Sequence, residues 1–213
     1  MPHPFRREAE ETARVLALSD GVIAIAITLL VLEITVPAVA PGSSPSLVAD
    51  LVAEQWQEFL GFVLSFLVIG FYWMLHRRTF VHIERHERGV VVLNLVFLLA
   101  VAFVPYATSV FTTYPNEFGI QFLSAILALT GFSLALLWIY ASRNELFEAG
   151  LTSRTVGIQA AKFLASPLVF LAAVLVATVD ERLAMLTWLL LIPVNGALQS
   201  RLVESLQEAA EVP

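Results

Sequence analysis

The residues best equipped for chemistry are Arg14, Ser19 and Asp20, which head the otherwise apolar run RVLALSDGVIAIAITLLVLEITVP at residues 14–37. A charge inside a spanning helix is expensive, roughly 2.5–3.5 kcal/mol at the bilayer centre and less near its edge, so it faces protein or a water-filled cavity. Asp20 is therefore expected against protein or water. The four histidines, His3, His76, His82 and His86, are the other titratable candidates. His82 and His86 stand four apart with Glu84 between them, which is neither the HExxH nor the HxxEH spacing, so no metal site is expected. The chain has no cysteine, which removes disulfides, thiol chemistry and thiolate ligands. Paired intramembrane carboxylates, a Ser/His/Asp set and a glycine-rich phosphate loop are all missing, so neither an enzyme nor a cofactor is expected.

The elements that must position these groups are membrane spans. With 58% hydrophobic and 14% charged residues among 213, and a mean hydropathy of +0.81, the composition is that of an integral membrane protein. A span needs about 20 mostly apolar residues, and the sequence predicts six transmembrane helices near 15–36, 57–76, 89–112, 118–141, 159–179 and 183–200. The fold class is all-α, and residues 1–213 form one domain. The longest connection, about 37–56, carries Pro37, Pro41, Pro45 and a Gly42-Ser43-Ser44 run, and reads as a short linker. The first span follows a mixed-sign stretch without a small-residue cleavage pattern, so it is expected to be retained rather than cleaved as a signal peptide.

Of the 12 Lys and Arg, only Arg182 falls in an odd-numbered connection; the other eleven share the side of both termini. By the positive-inside rule both termini are expected in the cytoplasm, in the cytoplasmic membrane. Of the 18 acids, Glu33, Asp50, Glu54, Glu58, Glu117, Asp180 and Glu181 lie on the opposite side, which with Arg182 carries the whole net charge of −6. These acids read equally as a mouth that concentrates cations or as ordinary solvated loop charges.

Within the first span, Gly21, Ala24 and Thr28 form a small-residue stripe, expected to pack against another helix, while Ile25, Leu29 and Leu32 form an aliphatic one. By periodicity alone the aliphatic stripe faces either lipid or a central axis. Tyr72, Trp73 and His76 end the second span before Arg77 and Arg78 and read as an interfacial anchor. Asn94, early in the third span, is a candidate hydrogen-bond partner for the first, and Pro105 is expected to kink the third or begin its last turns. Ser124, Thr130, Gly131, Ser133, Ser166 and Pro167 read as packing residues. There is no clear internal duplication and no filter of the TVGYG type.

The first span, with SFLVIGFYWMLHRRTF at the end of the second and LNLVFLLAVAFVPYATSVF in the third, resembles the bacterial branch of the transmembrane protein 175 family of potassium channels. The family hallmark is an Arg, three spacers and Phe-Ser-Asp. Here Arg14, Leu18, Ser19 and Asp20 hold that pattern, with Leu in place of Phe. The resemblance implies a homotetramer in membrane lipid whose first helices line a central pore. Ile25 would form the cytoplasmic-side constriction, followed by Leu29 and Leu32. An apolar ring closes a pore by dewetting and, when wider, favours the ion that sheds water most cheaply, which suits potassium over sodium. Thr28 would either offer an oxygen near the constriction or bond its own backbone. Arg14, Ser19 and Asp20 would join the first helix to Trp73, His76 and Asn94, and a proton relay through Asp20 and His76 is a second use of those groups. Nucleic acid is not an expected partner. The function implied is a potassium-preferring cation channel. The alternatives are a proton-coupled small-solute carrier, or a scaffold docking through His82–Arg88 or the acidic tail.

Overall fold

The computed structural model describes residues 4–83, 87–147 and 153–200. Its helices are α1 (Pro4–Leu29, extended by a 3-10 turn, Leu30–Glu33), α2 (Pro45–Glu54), α3 (Trp56–His82), α4 (Arg88–Thr113), α5 (Glu117–Arg143), α6 (Ser153–Ala177) and α7 (Glu181–Thr187). A 3-10 turn, Trp188–Leu190, carries α7 onward as helix to residue 200. Six of these stretches are long and apolar enough to cross a membrane: Ala13–Glu33, α3, α4, α5, α6 and Glu181–Ser200. The chain is a multi-pass, all-helical membrane protein. The additional helix, α2, falls where the sequence reads as a linker. It forms because Ser44 caps it, accepting from Leu47 N at 3.3 Å, and Pro45 at its first turn has no amide hydrogen to satisfy.

Successive spans alternate in direction, leaving an acidic end (Glu58, Glu117, Glu181) and a basic end (Arg77, Arg78, Arg143). At the acidic end Glu117 N donates to Glu181 Oε1 at 2.9 Å, while Asn116 and Asp180 cap α5 and α7 through Gly119 N (3.2 Å) and Leu183 N (2.8 Å). At the basic end Tyr140 Oη donates to Glu87 Oε2 at 3.2 Å, and Trp138 Nε1 donates to the Val156 carbonyl at 3.3 Å.

Burial divides the helices unequally. The most apolar stretch of α5 is 61% buried within the chain, against 22% for the first span and 11% for the last. The core is built around α5 from Ile69, Phe97, Val104, Phe111, Leu127, Trp138 and Phe170. A methyl group on Gly131 would stand 2.4 Å from Tyr72 Oη and 2.9 Å from Pro167 Cδ, so a side chain there would hold α3, α5 and α6 apart. Tyr72 uses that approach to donate to the Leu127 carbonyl at 3.2 Å. Without bulk water, hydroxyls pair across helices: Ser65 with Thr108 at 2.7 Å, and Trp188 Nε1 to Ser124 Oγ at 3.2 Å.

One expectation changes. Tyr72 and His76 are not interfacial anchors: both are buried, since α4 and α5 cover that face of α3. Pro105 stands at the start of the last turns of α4, which continues to Thr113. The Gly21, Ala24 and Thr28 stripe does not meet another helix of the chain. All three are exposed, with nothing within 4 Å of where a Gly21 methyl would point.

Gly119 and Gly21 should therefore respond oppositely to alanine. A methyl on Gly119 would lie 1.9 Å from the Tyr114 carbonyl oxygen, which is backbone and cannot swing away. Gly119→Ala is expected to lower the melting temperature in detergent by the equivalent of about 1–3 kcal/mol. Gly21→Ala should leave the fold of the single chain intact, and circular dichroism melts of the two variants compare them directly.

Candidate functional site: the first helix and its polar anchor

The first span has two unlike faces. Ser19, Ile23, Ala26 and Leu30 follow steps of four, three and four, and all are buried against α3 and α4. Ala26 keeps the backbones close where a larger residue would separate them. The opposite face is open along its length. Ile25 is 61% exposed, Leu32 72% and Leu29 42%, and Leu18, seven residues before Ile25, is 52% exposed on the same stripe. Leu18 is a member of that stripe which sequence reasoning considered only as a substitute for Phe; its spacing from Ile25 and Leu32 was the available signal.

Polar groups fix the rotation of α1 at its basic end. Ser19 is fully buried and its hydroxyl donates to the Val15 carbonyl at 2.8 Å. The same oxygen accepts from Asn94 Nδ2 at 3.0 Å, and Asn94 Oδ1 meets His76 Nε2 at 2.7 Å. Because that amide oxygen can only accept, His76 donates from Nε2. Nδ1 is buried with no partner among the described residues. The imidazole is held between Phe80 and Phe97, at ring-centroid distances of 4.6 Å and 5.1 Å, the second nearly parallel. Asp20, half-buried, accepts from Trp73 Nε1 at 2.7 Å, and Arg77 lies over the same indole, 5.3 Å from its centroid.

Five sequence-predicted residues thus converge on one junction of α1, α3 and α4: Ser19, Asp20, Trp73, His76 and Asn94. Arg14 does not join them. It is exposed and donates no side-chain hydrogen bond to the described residues. Asp20 and His76 occupy separate branches of the junction, one on Trp73 and the other on Asn94. Thr28 donates its hydroxyl to the Ile25 carbonyl at 2.9 Å, leaving only oxygen lone pairs to face outward. His3, Glu84 and His86 lie outside the described residues, as does the acidic tail after Ser200.

A second anchor, absent from the sequence reading, holds the acidic end of the span. Thr35 N donates to Glu58 Oε2 at 2.9 Å, and Gln55 Nε2 donates to Glu58 Oε1 at 3.1 Å and to the Thr35 carbonyl. Nothing local signals this contact, because its partners are more than twenty residues apart in the chain. Hydrogen-bonded at both ends, the span presents its open stripe in one direction. Such a surface can line a path or receive another helix. Among the described residues no cluster of His, Asp and Glu could hold a metal ion.

The chain is similar to known proteins. Residues 14–105, the first three spans and both anchors, match the family model described as endosomal/lysosomal potassium channel TMEM175. A potassium channel of Streptomyces collinus is 38% identical over 144 residues, covering 65% of this chain and 68% of that protein. A potassium channel of Chamaesiphon minutus is 41% identical over 107 residues, 50% of this chain and 52% of that one. The crystal structure of a lysosomal potassium-selective channel TMEM175 homolog from Chamaesiphon minutus superposes with a TM-score of 0.73 at 26% identity, covering 89% of this chain and 98% of that one. The shared first three spans and the shared six-span fold place the chain in the TMEM175 family.

Proposed function

We propose that the protein is a potassium-preferring cation channel, a homotetramer whose pore is lined by four copies of the first span. The observation that carries this reading is the open stripe of α1, which runs the length of a span hydrogen-bonded at both ends while its other face is fully docked. Gly21 and Ala24 give that open face a small-residue flank, which lipid does not require and a neighbouring copy would use. One chain presents one such helix and cannot enclose a path with it; a closed ring of four can.

In that ring Ile25, Leu29 and Leu32 form successive apolar constrictions. Water leaves a narrow aliphatic ring, which closes it, and a wider ring passes the cation that gives up hydration most readily. Thr28, its hydrogen committed to the backbone, presents an acceptor oxygen beside the Ile25 ring. Ser19, Asp20, Trp73, His76 and Asn94 set the angle at which the stripe meets the axis. Both termini lie in the cytoplasm of a cell membrane, by the distribution of Lys and Arg, and the acidic end forms the external mouth. A carrier would need convergent polar groups at the midplane between repeats; the open face of the first span offers Thr28 alone. No step of this function is catalytic.

Replacing Ile25 with Asn should raise single-channel conductance and move the reversal potential in asymmetric potassium and sodium chloride toward non-selectivity; a current indifferent to Ile25 would remove it from the pore. Native mass spectrometry is expected to give a particle of four times the 23.4 kDa chain mass. Asn94→Leu strands the Ser19 and His76 groups in the core, and each buried unsatisfied group costs about 1–3 kcal/mol. That variant should lose tetramer and current together, whereas Ile25→Asn should keep the tetramer.

A further inference from the structure

Away from the first span, the chain buries a cation that the proposed channel does not use. Lys162, on α6, is 3% exposed, and its ammonium donates to Gln199 Oε1 of the last span. Arg78 of α3, a like charge, lies within electrostatic reach of it. Arg78 is exposed, and neither cation has a carboxylate partner among the described residues. Like charges gathered at one end of a helix bundle repel, and an anion between them would relieve both. The ammonium keeps two of its three donors after bonding Gln199, and the Arg78 guanidinium can grip a phosphate bidentately.

The same three elements enclose an apolar cleft of about 390 Å³, lined by Leu64, Leu67 and Phe71 of α3, Phe170 of α6 and Ile192 of the last span. Leu67 and Ile192 are 62% and 76% exposed, so the cleft opens sideways onto whatever surrounds the helices. Its polar wall is the pair Ser166 and Asn195, with Asn195 Nδ2 donating to Ser166 Oγ at 3.2 Å. Helical spacing connects this cleft to the cations. Lys162 is one turn from Ser166, Gln199 one turn from Asn195, and Arg78 two turns from Phe71, each toward the basic end and on the same face of its helix.

We propose that α3, α6 and the last span bind an anionic phospholipid from the leaflet at the basic end. Its phosphate sits between Arg78 and Lys162, and one acyl chain lies along α3 into the cleft. Lipid fits better than a soluble anion because the charged pocket continues into a side-open apolar groove. Basic pockets between spanning helices commonly recruit anionic head groups.

The test is native mass spectrometry of the purified full chain with equimolar phosphatidylglycerol and phosphatidylcholine, in wild type, R78Q, K162M and L67W. At about fivefold per basic side chain, wild type should retain phosphatidylglycerol roughly 25-fold over phosphatidylcholine, and each charge variant should lose about fivefold of that preference. L67W, which fills the cleft and keeps both charges, should reduce retention of either lipid. Equal retention of the two lipids by wild type overturns the proposal, as does a preference unchanged in R78Q. If K162M fails to fold, wild type and R78Q decide the matter. Melting temperatures separate lipid from free anion: phosphatidylglycerol should raise that of wild type and inorganic phosphate should not, and equal protection by inorganic phosphate would assign a soluble-anion site instead. None of these readouts depends on ion conduction.

Discussion

Asn94 is the group on which the placement of the first helix depends. Its amide is buried inside a membrane span, where no water can complete its hydrogen bonds, so it must find partners on other helices or lie unsatisfied. It finds Ser19 on α1 and His76 on α3, one from each side of the amide. Apolar packing alone would tolerate a helix rolled by a few tens of degrees, since Ile23, Ala26 and Leu30 could settle against other aliphatic neighbours. A hydrogen bond at 3.0 Å tolerates much less. The polar junction therefore supplies the angular precision that a surface of interchangeable aliphatic residues lacks. The proposed pore needs that precision, because a constriction made of Ile25 exists only if four copies point the same way.

The chain also separates the tasks of its helices. α5 is the scaffold, enclosed by α3, α4 and α6, with Gly131 admitting Tyr72 and Trp138 reaching the backbone of α6. The first and last spans contribute little to that core, and each leaves a face open. The two faces differ in kind. On α1 the open stripe is anchored, regular and unbroken by charge; at the last span the opening is an apolar cleft that ends near two cations. Recruitment of lipid at the second face and assembly through the first would thus draw on separate surfaces, and neither would disturb the α5 core.

The spans were legible in the sequence because each is an apolar run of the required length, and the Ser19–Asp20 junction because a carboxylate in such a run demands a partner. Which aromatic residue would serve was less visible. Tyr72, Trp73 and His76 have the composition of an interfacial belt, and only the packing of α4 and α5 over one side of α3 turns Tyr72 and His76 inward while Trp73 reaches Asp20. The contact of Thr35 with Glu58 left no local trace, for Glu58 is one more acid in an acidic connection until the chain folds back. α2 was masked by its prolines and glycine, although Ser44 followed by Pro45 is a helix start as readily as a linker. The Gly21 stripe was legible only in part. Small residues announce close approach without saying whose helix approaches, and within this chain no helix does.

Glu58 shows how one charge can serve both structure and field. Both of its carboxylate oxygens accept hydrogen bonds, one from Thr35 N and the other from Gln55, so the side chain is held where the first span ends. Accepting those bonds does not neutralise it. Its negative charge stays fixed at the acidic end of the bundle, beside the exit of the helix proposed to line the pore. A mobile surface carboxylate contributes a field averaged over its rotamers and screened within about 8 Å at physiological ionic strength. An immobilised one acts from a constant position, and in a tetramer it would recur four times around the axis. The constraint that orients the open stripe at that end thus also places negative charge at its mouth, where cations would gather before they met the aliphatic rings.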